Sequence, residues 1–227
     1  MNRFFGEGRE EDVMILSKAD AHHLKNVLRV RDGEKVEVVY EGRLYETCYE
    51  EGALHVLGES ILEEEPELIL CQGLPKATKF EEILKHGTEV GVTRFIPLET
   101  SRTVVKMSGK EEKKRKRWEE ILRSAAMQSK ASGIPVLEDS MTLAKALDIL
   151  KGVQLILCDE EEEETSLHKV NLQEGPIALF VGPEGGWSRE EVALLKEHGA
   201  IPVTLGKRIL RTETAGVVAS FAIQGRR

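Results

Sequence analysis

No stretch of the sequence is apolar for long. The longest uncharged apolar runs, such as Ile177 to Val181, fall far short of the roughly 20 residues that a bilayer-spanning helix requires. The opening segment MNRFFGEGREED turns acidic where a secretory signal would carry its apolar core, so a cytoplasmic protein without a membrane partner is expected. Cysteine is scarce. Cys48, Cys71 and Cys158 are the three present; their spacing fits neither a zinc pair nor a disulfide framework, and reduced, mostly buried thiols are expected. The six histidines form no H-E-x-x-H or similar ligand pattern, which excludes the familiar metal hydrolases and leaves no metal site. Neither a Walker A loop nor a G-x-G-x-x-G fingerprint occurs, which argues against a nucleotide-dependent enzyme such as a dehydrogenase.

What is present is an ordinary globular composition. The chain has 227 residues, 41% hydrophobic and 32% charged, enough for one large domain or two unequal ones with a packed core. Its formal charge of −8 is unevenly placed: residues 1–66 hold 8 basic and 16 acidic side chains, and the remainder is balanced. An acidic protein is poorly suited to indiscriminate binding of DNA or RNA. Two acid-poor stretches stand out against that background. One is His22 to Arg31, with Lys25, Arg29 and Arg31; the other is Arg102 to Arg117, where eight basic residues face Glu111 and Glu112. Glu160 to Glu164 is the reverse, five consecutive acids that read as a solvated loop.

Periodicity divides the chain. Short strands separated by turn signals are predicted at Val13 to Leu16, Lys35 to Tyr40, Leu44 to Tyr49 and Leu54 to Leu57, with one helix over Asp20 to Leu28, a pattern that suggests a small β-barrel. After an acidic linker at Glu63 to Pro66, apolar strands alternate with helices, as expected of a parallel sheet covered on both faces. Thr78 with Glu81, and Ser188 with Glu191, have capping-box spacing. The expected domains are therefore 1–66, a barrel, and 67–227, an α/β domain. On such a sheet, ligands sit beyond the strand C-termini.

Two strand-to-helix turns meet that description. The first, Val181 to Ser188, contains Gly182, Gly185 and Gly186, which let a ligand approach the backbone. The second runs from Leu205 to Gly216; Thr212 has the residue type of a helix cap, and Ala215, Gly216 and Ala219 would let the helix pack very closely. Each turn alone is compatible with a structural role, and Arg211 with Glu213 is compatible with a surface ion pair. Two ligand-compatible turns on one sheet make a stronger case.

VGPEGGWSREEV at 181–192 and LGKRILRTETA at 205–215 resemble the cofactor-binding motifs of the RsmE family, SPOUT-class methyltransferases that make N3-methyluridine in small-subunit (16S) ribosomal RNA. The resemblance extends to HHLKNVLRVRDGEKVEV at 22–38, similar to the family's PUA-like barrel, to KFEEILKHGTEVGVTRFIPLETSRTVVK at 79–106, and to AAMQSKASGIPVL at 125–137, where Lys130 stands in place of the usual Arg. It implies a SPOUT-type parallel-sheet domain with a trefoil knot, bound S-adenosylmethionine and a homodimer. The cofactor would lie against Leu179, Val181, Gly182, Glu184, Gly186, Leu205, Gly206, Ile209, Leu210 and Thr212. Arg211 and Glu213 are the candidate catalytic residues, and Lys25, Arg29, Arg31, Arg102, Lys106 and Lys130 the candidate RNA contacts. S-adenosylmethionine carries no phosphate, so its site needs backbone polar groups and an apolar wall rather than a lysine-rich cradle. The competing reading is a non-catalytic RNA-binding or ribosome-assembly factor, for which barrel and basic patches would suffice.

Overall fold

In a computed structural model, residues 1–76, 78–103 and 111–227 are described. The chain forms two compact units, Met1–Glu64 with Ala126–Gly133, and Glu65–Ala125 with Ile134–Arg227.

In the first unit, β1 (Asn2–Glu10), β2 (Val13–Leu16), β3 (Lys35–Tyr40), β4 (Arg43–Glu50) and β5 (Ala53–Ile61) close into a barrel in the order β1-β2-β5-β4-β3. Two tight hairpins set the register. Glu41-Gly42 and Glu51-Gly52 both have positive φ, at 47° and 71° and at 51° and 86°, as a two-residue turn matched to strand twist demands. The periodicity missed β1. Its Phe4 joins the barrel core, while Phe5 packs with Val39, Ala126, Met127 and Ala131 outside it, so both faces are covered and the alternating pattern that marks a half-buried strand is absent. The expected helix is short, α1 (Lys18–His22), capped by the Ser17 hydroxyl, and continues as a π turn over His23–Val27. Arg3 ties the segment 126–133 to the barrel: its Nε meets Glu37 Oε2 at 3.0 Å, and its Nη1 donates to the carbonyls of Lys130 and Ala131.

The second unit follows the expected alternation. Its strands are β6 (Leu68–Gly73), β7 (Arg94–Glu99), β8 (Val136–Leu137), β9 (Met141–Thr142), β10 (Gln154–Cys158), β11 (Ile177–Val181) and β12 (Ile201–Val203), and its helices include α2 (Lys79–Glu89), α4 (Leu143–Ile149), α5 (Arg189–Glu197) and α6 (Thr212–Gln224); the long α3 spans Glu111–Ser129. The sheet order is β12-β10-β11-β6-β7-β8, with β9 also on β7, and all its pairs are parallel. Every residue of β6 and β11 is buried. Leu68 and Leu70 pack into the layer that holds Phe80 of α2 and Ala219 of α6, whereas Ile69, Cys71 and Phe180 pack into the layer with Leu147 of α4 and Leu195 of α5. Covering both faces explains why these strands read as continuous apolar runs. The C-terminal ends of β6, β10, β11 and β12 consequently share one edge.

Two local expectations fail. Thr78 does not cap α2: it makes no side-chain cap hydrogen bond and its φ and ψ of −89° and 0° lie outside the extended region a cap residue prefers, and the Glu81 carboxylate accepts from Arg117 at 2.6 Å instead. Thr212 is the first residue of α6 rather than its cap, which is Arg211. The small residues of α6 do serve close packing. A Cβ on Gly216 would stand 3.1 Å from Gln72 Oε1 and 3.4 Å from Leu70 Cδ2.

All three cysteines are free, Cys48 and Cys71 buried and Cys158 half-buried. Burial pushes the Cys158 thiol up to about 12 and the Cys71 thiol higher still; Cys48 is raised by burial and by its contact with the Glu50 carboxylate. Among the described residues no helix is long and apolar enough to cross a membrane, and no His, Cys, Asp or Glu group is arranged to hold a metal ion.

Candidate active site

The turn after β11 is fixed from several directions. Gly186 has φ +67°, a conformation open to glycine at little steric cost, and its N–H donates to the Pro183 carbonyl at 2.9 Å. Trp187 is buried and its Nε1 donates to the Cys158 carbonyl at the end of β10, 3.2 Å away. The capping box at Ser188 and Glu191 is formed, at 3.2 and 2.9 Å, and the second oxygen of Glu191 accepts from Ser101 N–H at 2.7 Å. Arg102, expected at RNA, donates to the Gly185 carbonyl at 2.6 Å. Glu184 accepts from the Lys76 N–H at 3.1 Å and faces Lys79 Nζ at 3.3 Å. Partial burial works against ionisation of Glu184, but backbone N–H donors and the Lys79 ammonium together hold its carboxyl below the usual range. Burial likewise opposes charge on Lys79, and Glu184 and Glu213 outweigh it, raising that amine.

The turn after β12 is held at its ends. Thr204 Oγ1 accepts from Gly206 N–H at 3.2 Å, and the Thr212 hydroxyl donates to the Gly182 carbonyl at 2.5 Å, joining the two turns. That hydroxyl in turn accepts from Gln72 Nε2 at 2.8 Å, a nitrogen that also lies 3.3 Å from the carbonyls of Val181 and Gly182. Gln72 is wholly buried. A lone amide in the apolar strand LILCQG was the available signal for this junction, because a buried amide must find partners. Between its ends the turn is exposed, Ile209 at 89%.

The two turns enclose a cavity of about 420 Å³, within the roughly 300–1,000 Å³ typical of small-molecule sites. Of the expected cofactor residues, Val181, Gly182, Glu184, Gly186, Leu205, Gly206, Ile209, Leu210 and Thr212 line it, and Arg211 does as well. Leu179 does not; it is wholly buried in the sheet core, because its side chain falls on the covered face two residues before the strand end. Glu213 is not on the cavity wall, and it pairs with Lys79 at 3.4 Å rather than with Arg211. Arg211 is exposed, with no side-chain hydrogen bond or ion pair among the described residues. Lys79, Asp159, Glu160 and Arg208 also line the cavity beyond the expected residues, and no local sequence motif marks Asp159 or Glu160.

The donor set fits S-adenosylmethionine. Glycine backbone and the side chains of Val181, Val203, Leu205 and Leu210 form an apolar wall, and the charged lining is mixed, Lys79, Arg208 and Arg211 with Asp159, Glu160 and Glu184, rather than the uniformly basic cradle of a phosphate site.

In the first unit, Lys25, Arg29 and Arg31 are exposed, and Arg29 takes φ +54°. Lys130 has φ +59° and lies 3.7 Å from Glu37 Oε1. Lys106 lies outside the described residues.

Comparison with known proteins agrees with this architecture. Residues 63–224 match the family model of an RNA methyltransferase domain, and residues 16–56 that of an RNA methyltransferase PUA domain. The chain is 34% identical to the ribosomal RNA small subunit methyltransferase E of Synechocystis sp., covering 92% of this chain and 72% of the relative. It is 31% identical to the protein of the same name from Bacillus subtilis, over 98% and 96% of the two chains. A crystal structure of the Neisseria gonorrhoeae ribosomal RNA small subunit methyltransferase E bound to S-adenosylmethionine superposes with a TM-score of 0.87 at 30% identity, over all of this chain and 98% of the other.

Proposed function

The chain belongs to the RNA methyltransferase family of ribosomal RNA small subunit methyltransferase E, and from that membership we propose that it methylates N3 of a uridine in 16S ribosomal RNA. It is an S-adenosylmethionine-dependent ribosomal RNA methyltransferase. The observation that carries the reading is the glycine-walled cavity between two strand-ending turns, joined by Thr212 and Gly182 and lined by Arg211. A non-catalytic RNA-binding factor would leave that cavity without a role.

When bound, the cofactor supplies a methyl group already activated by its sulfonium. The residues of this chain then have three tasks. The glycine backbone of 182–186 and the side chains of Leu205, Ile209 and Leu210 hold the cofactor, so that methyl and uracil meet within one cavity. Arg211 stabilises negative charge on the uracil oxygens as N3 gives up its proton to solvent water. Glu213 acts through Lys79, whose ammonium it shares with Glu184 at the cavity edge. The deciding experiment is incubation of 30S subunits lacking the modification with protein and S-adenosylmethionine, followed by mass spectrometry of the RNA. One methyl group on uridine N3 is expected; an unmodified RNA, or a methyl on ribose, overturns the reading.

The division of labour follows residues 1–66 for RNA and 67–227 for chemistry. Lys25, Arg29 and Arg31 are the proposed phosphate contacts, supported by their exposure, with Lys106 and Lys130 secondary; Arg102 serves mainly the Gly185 carbonyl. Arg29→Ala should lower the slope of log affinity against log salt by about 1, and an unchanged slope removes that contact. A homodimer is supported by apolar side chains left exposed on α6, Val218 at 44% and Phe221 at 67%; light scattering at micromolar concentration that returns the 25.4 kDa of one chain contradicts it. The knotted threading is supported by the C-terminal arginines, which reach the carbonyls of Leu167, Val170, Glu67 and Gly175. Action on ribosomal RNA favours a cytoplasmic location.

A further inference from the structure

The run Glu160–Glu164 behaves for the most part as the solvated loop its composition suggests. Glu162 turns back on its own segment and accepts the N–H groups of Glu164 and Thr165 at 3.0 and 2.8 Å, and Glu161, Glu163 and Glu164 are exposed. Glu160 is exposed as well, and differs in what it faces. It lines the cavity, and its carboxylate lies over the backbone of Gly186: a Cβ on that glycine would collide with Oε1 and stand 2.9 Å from Oε2. Among the described residues the carboxylate has no hydrogen-bond donor and no ion-pair partner. The cavity's amine, Lys79, is engaged by Glu184 and Glu213. A carboxylate on a glycine and apolar wall loses water when the cavity fills, and that loss is unfavourable unless a cation replaces the water. An anionic ligand would meet repulsion at the same spot. The methionine portion of S-adenosylmethionine carries two cations, the sulfonium and the α-ammonium.

We infer that Glu160 is the counter-charge for the cationic part of the cofactor, an inference that rests on the reading of this cavity as the cofactor site. The sulfonium becomes a neutral thioether once the methyl has left, whereas the ammonium persists. If the contact is to the sulfonium, Glu160 favours the fresh cofactor over the spent one.

Isothermal calorimetry of S-adenosylmethionine and S-adenosylhomocysteine, on wild type, Glu160→Gln and Glu161→Gln, tests this. The variants remove the same charge from one exposed segment, so folding is retained in both. Glu160→Gln should bind S-adenosylmethionine roughly tenfold more weakly, the scale of one lost hydrogen bond to a charged group, and Glu161→Gln should match wild type. Weakening confined to S-adenosylmethionine identifies the sulfonium; equal weakening of both ligands identifies the ammonium. Wild-type affinities in Glu160→Gln overturn the inference, as does an equal loss in Glu161→Gln, which would mark a diffuse field instead of a contact. Absence of S-adenosylmethionine binding to the wild type would instead sink the cavity reading itself.

Discussion

The two turns that frame the cavity end neighbouring parts of one parallel sheet, yet they are held in different ways. The turn at 182–188 is fixed by the buried Trp187, a complete capping box, the Arg102 contact on Gly185 and the Glu184 contacts with Lys76 and Lys79. The turn at 205–211 is fastened by Thr204 and Thr212, and between them Gly206, Lys207, Arg208, Ile209 and Arg211 are exposed. The first is a wall that exists before a ligand arrives. In the second, side chains that serve no packing are kept at the rim, which is where residues retained for binding or chemistry belong. The contrast teaches that the glycine-rich turn owes its residues to the fold as much as to the ligand, and that the other owes its residues mainly to function.

Mutations break the contrast if it is wrong. Trp187→Ala removes a buried indole from the rigid turn and should destabilise the protein by about 3–5 kcal/mol, measured by denaturant unfolding; a loss below about 1 kcal/mol would mean the turn is not anchored there. Arg211→Ala should leave stability within about ±0.5 kcal/mol and S-adenosylmethionine affinity nearly intact, while slowing single-turnover methyl transfer to 30S subunits by about 10², or about 2.7 kcal/mol of transition-state stabilisation. A wild-type rate would assign this arginine to the surface and shift the charge-stabilising role to Lys79. Ile209→Ala sharpens the comparison at its smallest scale: the side chain is 89% exposed, so unfolding should change by no more than about 0.5 kcal/mol, with a severalfold loss of cofactor affinity by calorimetry. A stability loss as large as that of Trp187→Ala would erase the distinction between the turns.

The sequence reveals the parallel sheet because burial on two faces leaves an apolar run, and it reveals both turns because glycine clusters follow those runs. It conceals what depends on tertiary partners. β1 is invisible since Phe4 and Phe5 are both covered. The caps at Thr78 and Thr212 have the right residue type, but Thr78 sits at the wrong backbone angles, and the Thr212 hydroxyl is drawn to the Gly182 carbonyl. Lys79 and Glu160 come from segments far in sequence from either motif, and the sheet edge alone brings them to the cavity. Most of the proposed cofactor surface was legible for the opposite reason, since a short turn carries its neighbours with it. Leu179 shares its face with Val181 but lies two residues deeper in the strand, under packed neighbours and away from the cavity.

The sheltered sulfurs described above have a practical corollary. Thiol reagents attack the thiolate, and burial that raises all three cysteines keeps that form scarce near neutral pH. Slow reaction of the native chain with maleimides is therefore expected. A cysteine introduced at Ile209, on the solvent-facing rim, supplies one addressable position, and a fluorophore attached there converts the filling and emptying of the cavity into an optical signal.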